Sequence, residues 1–275
     1  MKKTICFTID VEPDFSGLLK KDVYYGRQNL LKLENIVKKN DIKLTAFVTG
    51  KTLEDDPEIL SSLEGMRAEI ECHSYAHKVD HGSKIEDIER GIRTFEELVG
   101  RLPSGYRAPE GIITKKEALF LDSKGIKFDS SISPAFLPGR YNHLQFPVQP
   151  FKIKGSNLLE LPLPVVPKIR IPFNFSFVQL LGFGTFRVLL RVFGWPNLLI
   201  FNIHPFELGR IPSYYELPLR GRAIYFRAQR IYKNPAQDFD RFVKYLSEKG
   251  YEKKYMLDVY EELKYSAPSW GWIEN

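Results

Sequence analysis

Short apolar runs alternate with amphipathic helical patterns along most of this chain, and that alternation is the strongest constraint on its fold. Seven runs read as strands: Ile5–Val11, Leu44–Thr49, Glu69–Ser74, Tyr106–Ala108, Lys127–Ser131, Leu158–Leu163 and Leu198–Ile203. Among them, Asn29–Lys39, Pro57–Leu63, Ile85–Val99 and Lys115–Lys124 read as helices. Leu30, Leu31, Leu33, Ile36 and Val37 recur at helical spacing, and Ile88, Ile92, Phe95 and Leu98 share one face. Pro235–Lys249 reads as a final helix, stopped by Gly250. Regular strand–helix alternation over most of a chain predicts an α/β fold built on a parallel sheet.

The 275 residues, 43% hydrophobic and 13% aromatic, suffice for a substantial core, and the whole length reads as a single catalytic domain. A formal charge of +6 suits anionic partners in general. The cations are scattered, however. Lys38-Lys39, Lys115-Lys116 and Lys253-Lys254 are pairs among acids, so nucleic acid is not an expected partner. Cys6 and Cys72 fall in apolar runs outside any C-x-x-C motif, which predicts two buried thiols in a reducing compartment. Met1–Ile5 lacks the apolar stretch and cleavage site of a signal peptide, so a cytoplasmic location is expected.

The polar residues that carry chemistry sit at or just past the C-terminal ends of the strand candidates. In a parallel barrel that rim is where active sites assemble. Asp10 and Glu12, separated by Val11, point to one face of a strand. The bland alternative is a turn opener, since Glu12-Pro13-Asp14 is turn-like. His73 and His77 follow the third strand candidate four residues apart, and with an acid they can supply three ligands to a divalent metal. Three ligands leave a position open for water, as metal-assisted hydrolysis requires. A pair of capping or surface histidines is the competing reading, and His81 and His143 show that the chain tolerates such residues. Arg107 is placed to neutralise and orient a carboxylate. His204, after a strongly apolar run, is either a satisfied core residue or a proton donor facing the metal.

The order of these motifs resembles the polysaccharide deacetylases, the NodB-homology or carbohydrate esterase family 4 group. Thr8-Ile9-Asp10-Val11-Glu12 is similar to the branch whose first motif has the form D-x-E. His73-Ser74-Tyr75-Ala76-His77 resembles the family's H-[ST]-x-x-H motif, and Gly105-Tyr106-Arg107-Ala108-Pro109 the motif whose Arg steadies the base. Phe128-Asp129-Ser130-Ser131 and Leu159-Glu160-Leu161-Pro162 resemble its next two strands. His204-Pro205-Phe206-Glu207 resembles an H-P-x-E ending. The resemblance spans roughly residues 4 to 210 and implies a distorted (β/α)7 barrel. It implies Asp10 as the catalytic base, Glu12, His73 and His77 as metal ligands, and His204 as the general acid. Asp14 is a rival to Glu12, and either Glu207 or Asp129 orients His204. The usual adjacent Asp-Asp is replaced here by Asp-Val-Glu, and Glu110 stands where many relatives carry an aromatic residue.

The resemblance further implies a divalent metal, zinc by preference, and an N-acetylated carbohydrate as substrate, contacted near Pro109 and Glu110. A cyclic-amide hydrolase resembling the allantoinase-like members is the nearest rival. A non-haem iron oxygenase and a non-catalytic carbohydrate-binding relative are more distant ones. The segment Val165–Trp195 is rich in Phe and carries Arg170, Arg187 and Arg191, with Gly182 and Gly184 interrupting it. It is too punctuated for a transmembrane helix. It reads either as part of the barrel wall or as an interfacial element that meets a lipid-linked sugar at the cytoplasmic face of a membrane.

Overall fold

The computed structural model describes residues 2–12, 25–77, 84–209 and 234–272. All seven strand candidates form strands: β1 (Thr4–Val11), β2 (Leu44–Val48), β3 (Glu69–Cys72), β4 (Gly105–Tyr106), β5 (Phe128–Asp129), and then, after the short strands β6 (Phe136–Leu137), β7 (Tyr141–Asn142) and β8 (Phe151–Ile153), β9 (Leu159–Glu160) and β10 (Leu198–Ile203). They lie side by side in the order β10-β1-β2-β3-β4-β5-β9, every neighbouring pair parallel. β8 runs antiparallel to β9 and takes β12 (Ser269–Trp270) as its parallel neighbour. β11 (Glu252–Lys253) pairs with the start of β1. The sheet curls into a distorted (β/α)7 barrel. Among the described residues no ladder joins β10 to the strands beyond β9, so the curl stays open there.

Helices α1 (Tyr25–Lys39), α2 (Gly50–Asp55), α3 (Glu58–Gly65), α4 (Lys84–Val99) and α5 (Lys115–Ser123) form the connections along the first half. α6 (Phe175–Leu181), α7 (Phe183–Phe193), α8 (Pro235–Glu248) and α9 (Met256–Leu263) follow. Because side chains alternate along a strand, the sheet makes two cores. The larger joins outward-facing residues such as Ile5, Phe7, Ile9, Phe201 and Ile203 to the helices. The smaller, of Cys6, Phe47, Phe128, Leu159, Leu161, Leu198 and Ile200, fills the barrel lumen with Met256 and Val259 of α9. Cys6 and Cys72 are buried free thiols, as expected.

α9 corrects the reading of Pro235–Lys249 as the final helix. Its eight residues are too few for a clear helical period, and its apolar side chains match the lumen above it. The Met256 N–H donates to Thr45 Oγ1 at 3.1 Å, and the Leu257 N–H to the Glu69 carboxylate at 3.2 Å. The helix is therefore capped from the floor of the barrel.

The aromatic segment resolves into α6 and α7, bent by 105° at Gly182. No single described helix is long and apolar enough to cross a membrane, although this bent pair passes by length and composition. Most of the aromatics belong to the wall. Phe173, Phe175 and Phe186 are fully buried, and Phe173 packs on Phe186, Phe201 and Phe242 at ring distances of 4.9 to 6.0 Å. Burying each ring contributes about 1.5–3 kcal/mol. Phe186 is thus a core residue, and only the outer face of α7 is available to a surface.

Candidate active site

Thr8, Asp10 and Glu12 stand at every second position of β1 and its end, so all three side chains enter the lumen near its C-terminal mouth. Facing them from just past the end of β4 is Arg107, 2% exposed and stacked over the Phe47 ring at 4.2 Å. Its Nη1 donates to Asp10 Oδ1 at 2.7 Å, Thr8 Oγ1 at 2.9 Å and Asn202 Oδ1 at 2.8 Å. Its Nε donates to the Ser130 carbonyl at 2.9 Å, and Nη2 to Ser130 Oγ at 3.1 Å. The other Asp10 oxygen accepts from Asn202 Nδ2 at 2.7 Å. Burial disfavours a charged Asp10, but Arg107, His73 and His204 outweigh it and hold the carboxyl below its ordinary range. Asp10 is an aimed, ionised carboxylate.

Glu12, His73 and His77 converge beside it, with one ligand atom from each lying within 4.8 Å of the others. His77 Nε2 is 2.5 Å and His73 Nε2 3.1 Å from Glu12 Oε2. His73 Nδ1 lies 2.8 Å from the Arg107 carbonyl, which can only accept. That contact puts the ring hydrogen on Nδ1 and turns the Nε2 lone pair to the cluster, the arrangement of metal-bound histidines. The donor set and the fixed tautomer fit a divalent ion. The loop that carries both histidines is held from behind by α4. Asp87 accepts from the Tyr75 and Ala76 N–H groups at 3.3 and 3.1 Å. A Cβ on Gly91 would come within 2.4 Å of the Ser74 backbone, so only glycine lets the helix lie this close. Ser74 and His77 both take positive φ, at 63° and 55°, a cost that packing on α4 sustains.

His204 closes the far side. Its Nε2 is 3.6 Å from Asp10 Oδ2, and its ring stacks on Phe206. Its Nδ1 is 3.4 Å from Glu207 Oε2, which also accepts the His204 backbone N–H at 2.8 Å. Glu207 in turn accepts from Ser176 Oγ of α6. Burial works against the imidazolium, but Glu207, then Glu12 and Asp10, carry its pKa up to about 9. Glu207 therefore orients His204. Asp129 does not; it is fully buried and hydrogen-bonds Ser131.

The structure thus gathers Asp10, Glu12, His73, His77, Arg107 and His204 at one mouth. Pro109 is buried at the start of a 3-10 turn (Pro109–Gly111). Glu110 crests that turn with φ 55° and lies 3.6 Å from Arg140, on the hairpin between β6 and β7. Asp14 lies outside the described residues, as does His81. Sequence reasoning missed Asn202, Thr8 and Ser130. Asn202 was findable, because it stands two residues before His204, which follows the end of β10, and a polar side chain inside LLIFNI needs a partner.

Residues 1–128 match the family model of the polysaccharide deacetylases. The matched stretch contains Asp10, Glu12, His73, His77 and Arg107 and ends before His204. A peptidoglycan deacetylase-like protein of Gibberella zeae is 29% identical over 117 residues. That match covers 40% of this chain and 35% of the relative, so the chain spans about a third of the relative's length. Among solved structures, a probable polysaccharide deacetylase from Pseudomonas aeruginosa PAO1 superposes with a TM-score of 0.62 at 17% identity, over 96% of this chain and 92% of that one. Puue allantoinase gives 0.62 at 16%, over 96% and 90%. A carbohydrate esterase family 4 pseudoenzyme from Bacillus anthracis gives 0.56 at 14%, over 95% and 66%. These likenesses establish the fold.

Proposed function

We propose that this chain is a metal-dependent hydrolase that removes the N-acetyl group from an amino sugar in a polysaccharide, glycan or lipid-linked saccharide. The observation that carries the reading is the placement of Asp10 and His204 on either side of a mouth that also holds the Glu12, His73 and His77 donors. Binding a sugar alone would not need an aimed base and a charged acid 3.6 Å apart. A divalent ion held by the three donors, zinc by donor type, would supply Lewis acidity toward the acetamide carbonyl and acidify a water. Asp10 takes a proton from the attacking water. Water oxygen bonds to the acetamide carbon, the C–N bond breaks, and His204 Nε2 gives its proton to the leaving nitrogen. The products are acetate and a free amine. Asp10 is ready as a base and His204 as an acid at neutral pH, because their surroundings push their titrations apart. Arg107 and Asn202 keep Asp10 aimed, and Glu207 does the same for His204.

A substrate at a membrane surface suits the outer wall. α7 turns Arg187, Val188, Arg191 and Val192 outward, with Val188 62% and Val192 67% exposed. Between Glu160 and Glu207 the sequence holds four cations, Lys168, Arg170, Arg187 and Arg191, and no acid. Of these, Arg170 donates to the Pro134 and Phe146 carbonyls, and Arg187 and Arg191 on the outer face of α7 are the cations that would attract anionic headgroups, at about 1 kcal/mol each. The cytoplasmic surface of a membrane is the location that this reading assigns.

The test is acetate release from N-acetyl-sugar oligomers and lipid-linked N-acetylhexosamines, with and without a chelator, beside ring opening of allantoin. Chelator-sensitive acetate release is expected. Turnover of allantoin alone would move the site to cyclic amides. Saturable sugar binding without acetate from any member of the panel would make the chain a binding protein.

A further inference from the structure

We propose that Asp129 and Glu160 form a carboxyl pair that shares one proton and positions Arg107 and the Ala108 N–H from behind the active site. The role at Arg107 rests on the hydrolase reading above; the shared proton does not.

The two residues are direct partners in the β5–β9 register. Their strand neighbours Phe128 and Leu159 fill the lumen, so Asp129 and Glu160 lie together on the opposite, outer face. Both are fully buried. Asp129 Oδ1 accepts from Ser131 Oγ at 2.6 Å, and Glu160 Oε1 accepts from the Ile132 N–H at 2.9 Å. The remaining oxygens, Asp129 Oδ2 and Glu160 Oε2, are buried and receive no donor from any other described residue. The nearest cation does not supply one. Arg107 directs its hydrogens to Ser130, Asp10, Thr8 and Asn202. Two adjacent carboxylates without a donor cannot both stay ionised in such a place, and one shared proton satisfies both leftover oxygens. Burial pushes both carboxyls upward; the Asp129 charge and hydrogen bond push Glu160 further up, whereas the hydrogen bonds from Glu160 and Ser131 and the charge of Arg107 work against the rise at Asp129. The other ionisable groups around them are Tyr106, opposite Asp129 in register, Cys72, opposite Tyr106 on β3, and Glu117 and Asp87, which face Tyr106 from α5 and α4.

What the pair holds gives it a role. Ser131 Oγ donates to Asp129 and accepts the Ala108 N–H at 2.7 Å. Ala108 follows Arg107, whose own carbonyl fixes His73. Glu160 secures Ile132, the far end of the segment whose Ser130 binds the guanidinium twice. The two carboxyls thus anchor both segments that aim Arg107 at Asp10. Neither meets the mouth, so they are positioning residues.

The experiment compares Glu160→Gln with Glu160→Leu and follows side-chain carboxyl carbons by NMR from pH 5 to pH 9, about two units either side of neutrality. The amide of Gln carries the donor permanently and can still accept from Ile132. Glu160→Gln is expected to keep kcat within about threefold of the parent, and Glu160→Leu to lose about a hundredfold in kcat with KM little changed, the scale of a small misplacement. Beside the lumen carboxyls Glu69 and Glu71, raised to about 7 and about 8, the parent is expected to show a further carboxyl that stays protonated at pH 7 and that alone disappears in Glu160→Gln. Absence of that resonance in the parent overturns the pair whatever the enzyme acts on. Equal kcat losses in the Gln and Leu variants overturn the positioning role. If no substrate is turned over, the hydrolase reading fails while the NMR titration still decides the shared proton.

Discussion

Asp10 Oδ2 and His204 Nε2 face each other at 3.6 Å, the carboxylate pinned by Arg107 and Asn202 and the imidazole backed by Glu207. Asp10→Asn should leave the fold and the donor cluster intact and lower turnover by about 10²–10⁴, because an amide cannot take the water's proton. His204→Ala should be as damaging on an acetamide but much milder on an activated ester, whose leaving group needs no proton. Equal losses on amide and ester would assign His204 to the scaffold. Stripping of bound metal by Asp10→Asn would make Asp10 a ligand instead of a base.

The Glu12, His73 and His77 cluster should hold about one divalent ion per chain, by the three-ligand argument. Metal at a hundredfold excess over Kd should stabilise the protein by about 2.7 kcal/mol, seen as a rise in Tm that a chelator reverses. His77→Ala should abolish that rise. Full metal content in a His73→Ala/His77→Ala protein would dismiss the site. Glu12→Ala beside Asp14→Ala shows which acid binds.

Asn202→Leu removes the donor to one Asp10 oxygen and the acceptor of Arg107 and Thr8 in a single change. Each buried partner left unsatisfied costs about 1–3 kcal/mol. The expected outcome is a lower denaturant midpoint together with reduced kcat and unchanged metal content. Wild-type kcat in this variant would mean that Arg107 alone aims the base.

Deeper in the lumen, burial pushes Glu69 up to about 7, and burial with the neighbouring Glu69 charge pushes Glu71 up to about 8. The folded protein holds these protons more tightly than the unfolded chain, whose glutamates titrate near 4.5. The contribution is therefore full below pH 4.5 and is lost as pH rises through about 7 and 8. Unfolding free energy should fall across that window by up to about 1.4 kcal/mol per pH unit per group. Glu71→Gln should flatten the decline, since the amide oxygen can still accept the Gly105 N–H. An unchanged slope in that variant would show that Glu71 is ionised throughout.

On α7, Phe186→Ser should unfold the protein or cost about 3–5 kcal/mol, by opening a cavity under Phe173. Arg187→Glu/Arg191→Glu should leave Tm nearly unchanged and weaken co-sedimentation with phosphatidylglycerol vesicles, more so at low salt. Binding that persists in the double variant would place any membrane contact elsewhere.

Much of this was legible in sequence because the relevant signals are local. Strand–helix alternation identifies a parallel sheet, and strand periodicity alone puts Asp10 and Glu12 on one face. The spacing of His73 and His77 marks them as a unit. Short elements escaped. Met256–Leu263 has too few turns to show a period, and the hairpin that brings Arg140 to Glu110 has two residues in each strand. The aromatics of 173–186 are equally apolar whether they face lipid or a core, so composition could not choose between the two.

Local sequence signals were enough for the strand–helix alternation and for Asp10 and Glu12 sharing one face of their strand, since side-chain direction along a strand follows from backbone geometry. The expected roles of base, acid, arginine and metal donors came from the resemblance of the motifs to a family. Which partner each side chain has was settled by the folded chain. It gave His204 to Glu207 and not to Asp129, set Asn202 between Asp10 and Arg107, and laid Asp129 against Glu160 on the outer face. Those pairings depend on the register between strands far apart in the chain and on which buried polar atoms remain without a donor once every other bond is made.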